Sequence, residues 1–258
     1  MESIIKKRLA EDKIVRVFGI GRILHHTLIE ILALHGGYDA LWLDQEHCGL
    51  TTREIELAAL SARAHGLDSF VRMAPTDYAN VTRAMEAGAG GVMAARIYNE
   101  KEAEQFVQWA KFHPRGSRGM NNGGFDGQYG RLALAEFAEQ TNRNSFVSIQ
   151  IETREAVEDA AAIAALDGVD LLFVGPSDLS QALGVTGQVN HPKCLEAIAH
   201  VAAVCKQHGK HWGTIAINPQ YTEQRVEEGC RMLVIGADVK IAHAGIEATK
   251  KAFAKYFD

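Results

Sequence analysis

Eight short apolar runs recur along this 258-residue chain, and segments with helical spacing separate them from end to end. The runs are 14–20 (IVRVFGI), 40–44 (ALWLD), 69–73 (SFVRM), 91–95 (GVMAA), 146–152 (FVSIQIE), 170–174 (DLLFV), 211–217 (HWGTIAI) and 231–236 (RMLVIG). Strand-like runs that alternate with helical segments predict parallel strands joined by crossover helices, rather than separate α and β domains. Eight of them predict an α/β fold of the (β/α)8 TIM-barrel type. The length suits one barrel better than two small domains, so residues 1–258 are expected to form a single domain.

Punctuation between the runs agrees. Thr51 with Glu54, and Asn99 with Glu102, have capping-box spacing, and Pro192 suits a first helical turn. Gly36, Gly66, Gly88, Gly209 and Gly229 follow helical patterns as C-terminal caps. One connection is unusually long: residues 114–130 (PRGSRGMNNGGFDGQYG) are rich in Gly and Asn and lack periodicity. Such a loop in a compact barrel is expected to be a lid, a substrate loop or a subunit contact, against the plainer alternative of a flexible insertion. The last stretch, IAHAGIEATKKAFAKYFD, reads as an amphipathic helix whose apolar face packs on its own barrel or on a partner.

Composition narrows the partners. A net charge of −5 with 23% charged residues and no basic stripe argues against nucleic-acid binding. Cys48, Cys194, Cys205 and Cys230 have neither C-x-x-C spacing nor the density of a disulfide scaffold, which predicts reduced thiols in a cytoplasmic protein. MESIIKKRLAEDK has no apolar signal core, and no later segment holds the roughly 18 uninterrupted apolar residues of a membrane span.

Chemistry gathers where the strands end, which is where barrels of this type carry their active sites. Glu152 ends the fifth run and Asp178 follows the sixth. Neighbouring strands lie roughly 4.8 Å apart, so the two carboxylates can close on one hard cation and leave positions open for water and substrate. Taken alone, Asp178 reads first as the N-cap of the next helix. The second run ends in Asp44-Gln45-Glu46-His47. His47 can shuttle protons near neutral pH with Asp44 as its orienting carboxylate. Arg72 sits in an otherwise apolar run, and a buried cation needs a partner, either a protein carboxylate or a ligand carboxylate or oxyanion. Gln150 shares the strand face of Glu152 and can donate to a ligand oxygen, while Gly175-Pro176-Ser177 makes a sharp turn suited to cradling a carboxylate.

In this order, LDQEH (43–47), VR (71–72), PRGSRG (114–119), QIETREA (150–156) and GPSDLS (175–180) resemble the HpcH/HpaI family of metal-dependent class II pyruvate aldolases, of the 4-hydroxy-2-oxoheptanedioate aldolase type, over nearly the whole chain. The resemblance implies Glu152 and Asp178 as metal ligands, His47 with Asp44 as the acid/base pair, and Arg72 with Gln150 as binders of a 2-oxo acid. It also implies a homo-oligomer built from dimers that exchange their C-terminal helices, grouped into hexamers. Three departures stand out: Gln45 where the family commonly has Gly, Ala94-Ala95-Arg96 where it has Val-Pro, and the loop with Asn121, Asn122 and Phe125. All three are expected to fall where the aldehyde is recognised.

The expected reaction is therefore reversible aldol cleavage of a 4-hydroxy-2-oxo acid to pyruvate, or a related 2-oxo acid, plus an aldehyde. Oxygen ligands with open positions favour Mg2+ or Mn2+, with Co2+ as a substitute. A Schiff-base aldolase would need a lysine inside the barrel, and no predicted strand interior offers one. Two alternatives stand beside this reading: a CoA-ester lyase of the same superfamily, and a barrel that binds a 2-oxo acid without turning it over.

Overall fold

Each apolar run is a strand, with ends that differ from the sequence reading by at most two residues. The computed structural model describes residues 2–257. The strands are β1 (Val15–Ile20), β2 (Ala40–Asp44), β3 (Asp68–Met73), β4 (Gly91–Ala94), β5 (Phe146–Ile151), β6 (Leu171–Val174), β7 (His211–Ile215) and β8 (Cys230–Ala237). All pair in parallel with their sequence neighbours, and β8 returns to β1 to close the barrel. The helices are α1 (Ile4–Ala10), α2 (His26–His35), α3 (Thr52–Ala64), α4 (Tyr78–Glu86), α5 (Glu100–Ala110), α6 (Leu134–Asn144), α7 (Arg154–Glu158), α8 (Ala160–Ala165), α9 (Pro176–Ala182), α10 (Pro192–Gln207), α11 (Pro219–Glu227) and α12 (Asp238–Ala252).

Side chains alternate across each strand, and both faces are covered, which is why the runs read as nearly continuous apolar sequence. Val15, Val17, Ala40, Trp42, Phe70, Met93, Phe146, Leu171, Phe173 and Met232 fill the barrel interior, closed at the amino end by Ile5 and Leu9 of α1. Phe18, Leu41, Val71, Val92, Val147 and Leu172 point outward into the helix layer. Thr51 and Glu54 form a full capping box at α3, Asn99 accepts from the Glu102 N–H at α5, and Pro192 is the first residue of α10. The five glycines expected as caps all have positive φ.

The long loop joins α5 to α6 and so leads from a helix into the next strand. Such connections return to the amino ends of the strands, opposite the catalytic rim. Phe125 donates its N–H to the Glu86 carbonyl at 3.0 Å, and the Arg63 guanidinium lies 3.4 Å over its ring. Phe125 and Asp126 line a cleft with Ser3 and Asp68, at the start of β3. Buried Arg118 pairs with Asp126 at 2.6 Å. Within the protomer this loop lies at the amino end of the barrel, anchored through Arg118, Phe125 and Asp126, and the expectation that it recognises the aldehyde is corrected by the chain's connectivity. Gln45 is likewise diverted, because its amide donates to the Leu50 carbonyl and braces the turn after β2.

Of α12, only Asp238 is buried; it accepts N–H bonds from Gly21 and Ile23. Ile241, Ile246 and, just beyond the helix, Phe253 and Phe257 are 41%, 57%, 56% and 55% exposed. The helix is anchored by its first turn and leaves apolar side chains open.

Candidate active site

The inward-pointing row of positions changes character at the carboxyl end of the barrel. Trp42 is followed two residues on by Asp44, Phe70 by Arg72, and Phe146 by Ser148, Gln150 and Glu152. The two-residue strand period thus lifts a polar layer directly above the apolar fill. Gly175 continues the inward row of Leu171 and Phe173, and a Cβ there would fall 2.4 Å from Glu152 Oε2 and 3.1 Å from Gln150 Nε2. A side chain there would displace the Glu152 carboxylate.

Glu152 is 2% exposed. Its Oε1 accepts the backbone N–H of Arg96 at 2.8 Å, and its Oε2 accepts the Gln150 amide at 2.8 Å. Burial pushes its pKa up to about 7; the carboxylates of Asp178 and Glu46 act in the same direction, against the Arg96 N–H and the Arg72 charge. Asp178 lies in the first turn of α9, behind Pro176 as its first residue, and lines one cleft with Glu152, Arg96, Tyr98, Arg154 and Gln181. A buried carboxylate that is hard to ionise, with a second beside it, is a setting a divalent cation relieves, so the donor set fits an oxygen-seeking metal. Among the described residues no group of three or more His, Cys, Asp or Glu is arranged for a metal, so these two carboxylates would leave the other positions to water or substrate.

Arg72 meets protein carboxylates. Its Nε and Nη2 donate to Asp44 at 3.1 and 2.7 Å, its Nη1 lies 3.1 Å from Glu46, and its guanidinium carbon sits 4.9 Å from the Trp42 ring centroid. Asp44 therefore holds Arg72, and it touches His47 through the latter's backbone N–H at 3.2 Å rather than through the imidazole. The His47 ring is largely exposed, with Nε2 3.8 Å from Glu46. Gln150 spends its amide on Glu152 and leaves its buried Oε1 without a partner among the described residues. Of the residues singled out from sequence, Glu152, Gln150, Asp178 and Gly175 are gathered on one side, and Asp44, Arg72 and His47 on the other.

Sequence reasoning passed over Glu46 and Tyr98. Glu46 carried a signal, since it stands in the same polar tetrapeptide as Asp44 and His47 and an arginine buried in the next strand needs its charge balanced. Tyr98 carried none, because its role depends on how the backbone turns after β4.

The chain matches the family model described as HpcH/HpaI aldolase/citrate lyase over residues 23–244. A 5-keto-4-deoxy-D-glucarate aldolase from Klebsiella pneumoniae is 31% identical over 228 residues, 88% of this chain and 87% of that protein. The solved structure of an HpcH/HpaI aldolase from Desulfitobacterium hafniense superposes with a TM-score of 0.90 at 30% identity, covering 96% of this chain and 95% of the other. An HpcH/HpaI aldolase/citrate lyase family protein from Burkholderia cenocepacia gives 0.88 at 30% identity over 99% and 100%. With the strand-end carboxylates, the buried arginine and the glycine cradle in the order the resemblance implies, this chain belongs to the HpcH/HpaI aldolase/citrate lyase family.

Proposed function

We propose that this chain is a divalent-metal-dependent aldolase that reversibly cleaves a 4-hydroxy-2-oxo acid into pyruvate, or a related 2-oxo acid, and an aldehyde. The observation that carries the reading is the shared cleft of Glu152 and Asp178, with Glu152 buried and braced by two hydrogen bonds. The relatives named as sugar-acid aldolases support the reaction class. Mg2+ or Mn2+ suits the oxygen donors, with Co2+ as a substitute.

Glu152 and Asp178 would hold the cation. When bound, it supplies Lewis-acid polarisation of the substrate's 2-oxo group. Gln150 fixes the Glu152 carboxylate, and the Gly175-Pro176-Ser177 turn receives the substrate carboxylate on the N–H groups that open α9. Arg72, held by Asp44 and Glu46, presents its remaining donor hydrogens to the oxygen on which charge develops. Exposed His47 takes the proton from the C4 hydroxyl, and Asp44 fixes the turn that carries it.

The exposed apolar residues of α12 support a homo-oligomer in which C-terminal helices are exchanged between protomers, with dimers grouped as a hexamer. The four unpaired thiols support a cytoplasmic setting. No helix among the described residues is long and apolar enough to cross a membrane.

The test is exchange of pyruvate methyl protons for deuterium with Mg2+ or Mn2+ present and after EDTA. Exchange that requires the metal and is lost in His47→Ala supports the reading; pyruvate binding without exchange would favour a passive binding barrel, and exchange that survives EDTA sinks the metal role.

A further inference from the structure

Arg96, which lines the Glu152–Asp178 cleft together with Arg154, is bound differently from Arg72 on the neighbouring strand. Its φ of +51° puts a non-glycine residue in the left-handed region, a conformation that persists only when its surroundings impose it. The reason is visible in the backbone: the same turn aims the Arg96 N–H at Glu152 Oε1, 2.8 Å away. On the side chain, Nη2 donates to the Tyr98 hydroxyl at 3.0 Å. Tyr98 is itself anchored, since its N–H donates to Glu102 Oε2 at 2.9 Å while Asn99 caps the Glu102 N–H at 3.1 Å.

A chain of three contacts therefore fixes one guanidinium against the start of α5. Among the described residues no carboxylate lies within ion-pair distance of it, whereas Arg72 is committed to two. The guanidinium is exposed to the cleft, and only a neutral hydroxyl consumes one of its five donors. A divalent cation on Glu152 and Asp178 would cancel their two charges and, with Arg154 and Glu155 of the same cleft offsetting one another, leave Arg96 as net positive charge at the wall. Such a fork, held in place and unneutralised, is a receptor for a carboxylate.

We propose that Arg96, positioned by Tyr98, is a specificity-determining residue that receives a carboxylate on the aldehyde half of the substrate. This rests on the aldolase reading and adds to it the residue that discriminates among acceptor aldehydes. Arg72 and Arg96 then divide the work, the first acting at the reacting oxygen and the second at the far end of the partner.

The experiment measures aldol addition of pyruvate to two acceptors of matched size, glyoxylate and glycolaldehyde, with Mn2+ present. The readout is the ratio of the two kcat/KM values. Arg96→Gly permits the left-handed backbone, keeps its N–H and removes the side chain; the ratio should fall about 10- to 100-fold toward glycolaldehyde, the scale of one charge-assisted hydrogen bond. Arg96→Lys should recover part of it, and Tyr98→Phe should lower it a few-fold. Should Arg96→Gly fail to fold, Tyr98→Phe carries the same comparison without touching the backbone at Arg96. An unchanged ratio in these variants overturns the assignment while wild-type proton exchange on pyruvate keeps the aldolase reading intact. Wild-type protein that shows neither exchange nor addition overturns both.

Discussion

Asp44 and Arg72 are register partners on adjacent strands β2 and β3, and their side chains meet in a two-point ion pair at 2.7 and 3.1 Å. Both point inward above Trp42, where Arg72 is 8% exposed and Glu46 supplies its second carboxylate. Asp44→Asn keeps the shape and removes half of the balancing charge. Breaking a buried pair in this way is expected to cost about 3 kcal/mol, and activity should fall more than the loss of folded protein explains. Urea unfolding followed by kcat/KM under fully folded conditions separates the two.

Gln150 touches the proposed metal site only through Glu152 Oε2. Its removal should loosen the carboxylate rather than delete a ligand. Gln150→Ala is expected to weaken Mn2+ binding about 10- to 100-fold, the range for partners that orient ligands, whereas Glu152→Gln should abolish it. Calorimetric titration with Mn2+ checks both, and equal affinities in all three proteins would remove Glu152 from the site.

Lys111 is 2% exposed, and its Nζ donates to the carbonyls of Asn142 and Ser145 and to the Ser145 hydroxyl. Burial lowers its pKa to about 8 from an ordinary 10.5. Between those values the unfolded chain binds more protons than the folded one, so this group's contribution to stability rises with pH across that window. Wild type should gain up to about 3 kcal/mol relative to Lys111→Met between pH 8 and 10.5. Denaturant midpoints of both proteins at either end of the window test the sign.

Ile246 and Phe253 are 57% and 56% exposed on and just beyond a helix that is anchored only at its first turn. If α12 is shared between protomers, the double substitution Ile246→Lys with Phe253→Lys should shift the protein to a smaller assembly with the barrel intact. Light scattering with circular dichroism reads both, and an unchanged mass would assign the helix to its own barrel.

The barrel was legible because its signals are local. Two-sided burial makes each strand a short apolar run, and glycine with positive φ ends the helices where expected. The strand period also put Asp44, Arg72, Gln150 and Glu152 on inward positions at carboxyl ends, so the membership of the polar layer could be read from spacing. The placement of residues 114–130 was open to the same logic: a connection from a helix into a strand lies at the amino end of a barrel, whatever its glycine content suggests.

What the chain determined by itself was therefore which residues stand at the catalytic rim. What the tertiary structure decided was how they are paired. Asp44 has Arg72 opposite it in register, and that contact depends on two strands meeting, so it outcompetes the nearby imidazole three residues on. The Arg96 backbone donates to Glu152 from 56 residues away because β4 and β5 close side by side, an arrangement no local propensity encodes. Spacing along a strand is fixed by covalent geometry, whereas the choice of partner is made by whichever charges the closed barrel brings within hydrogen-bond reach.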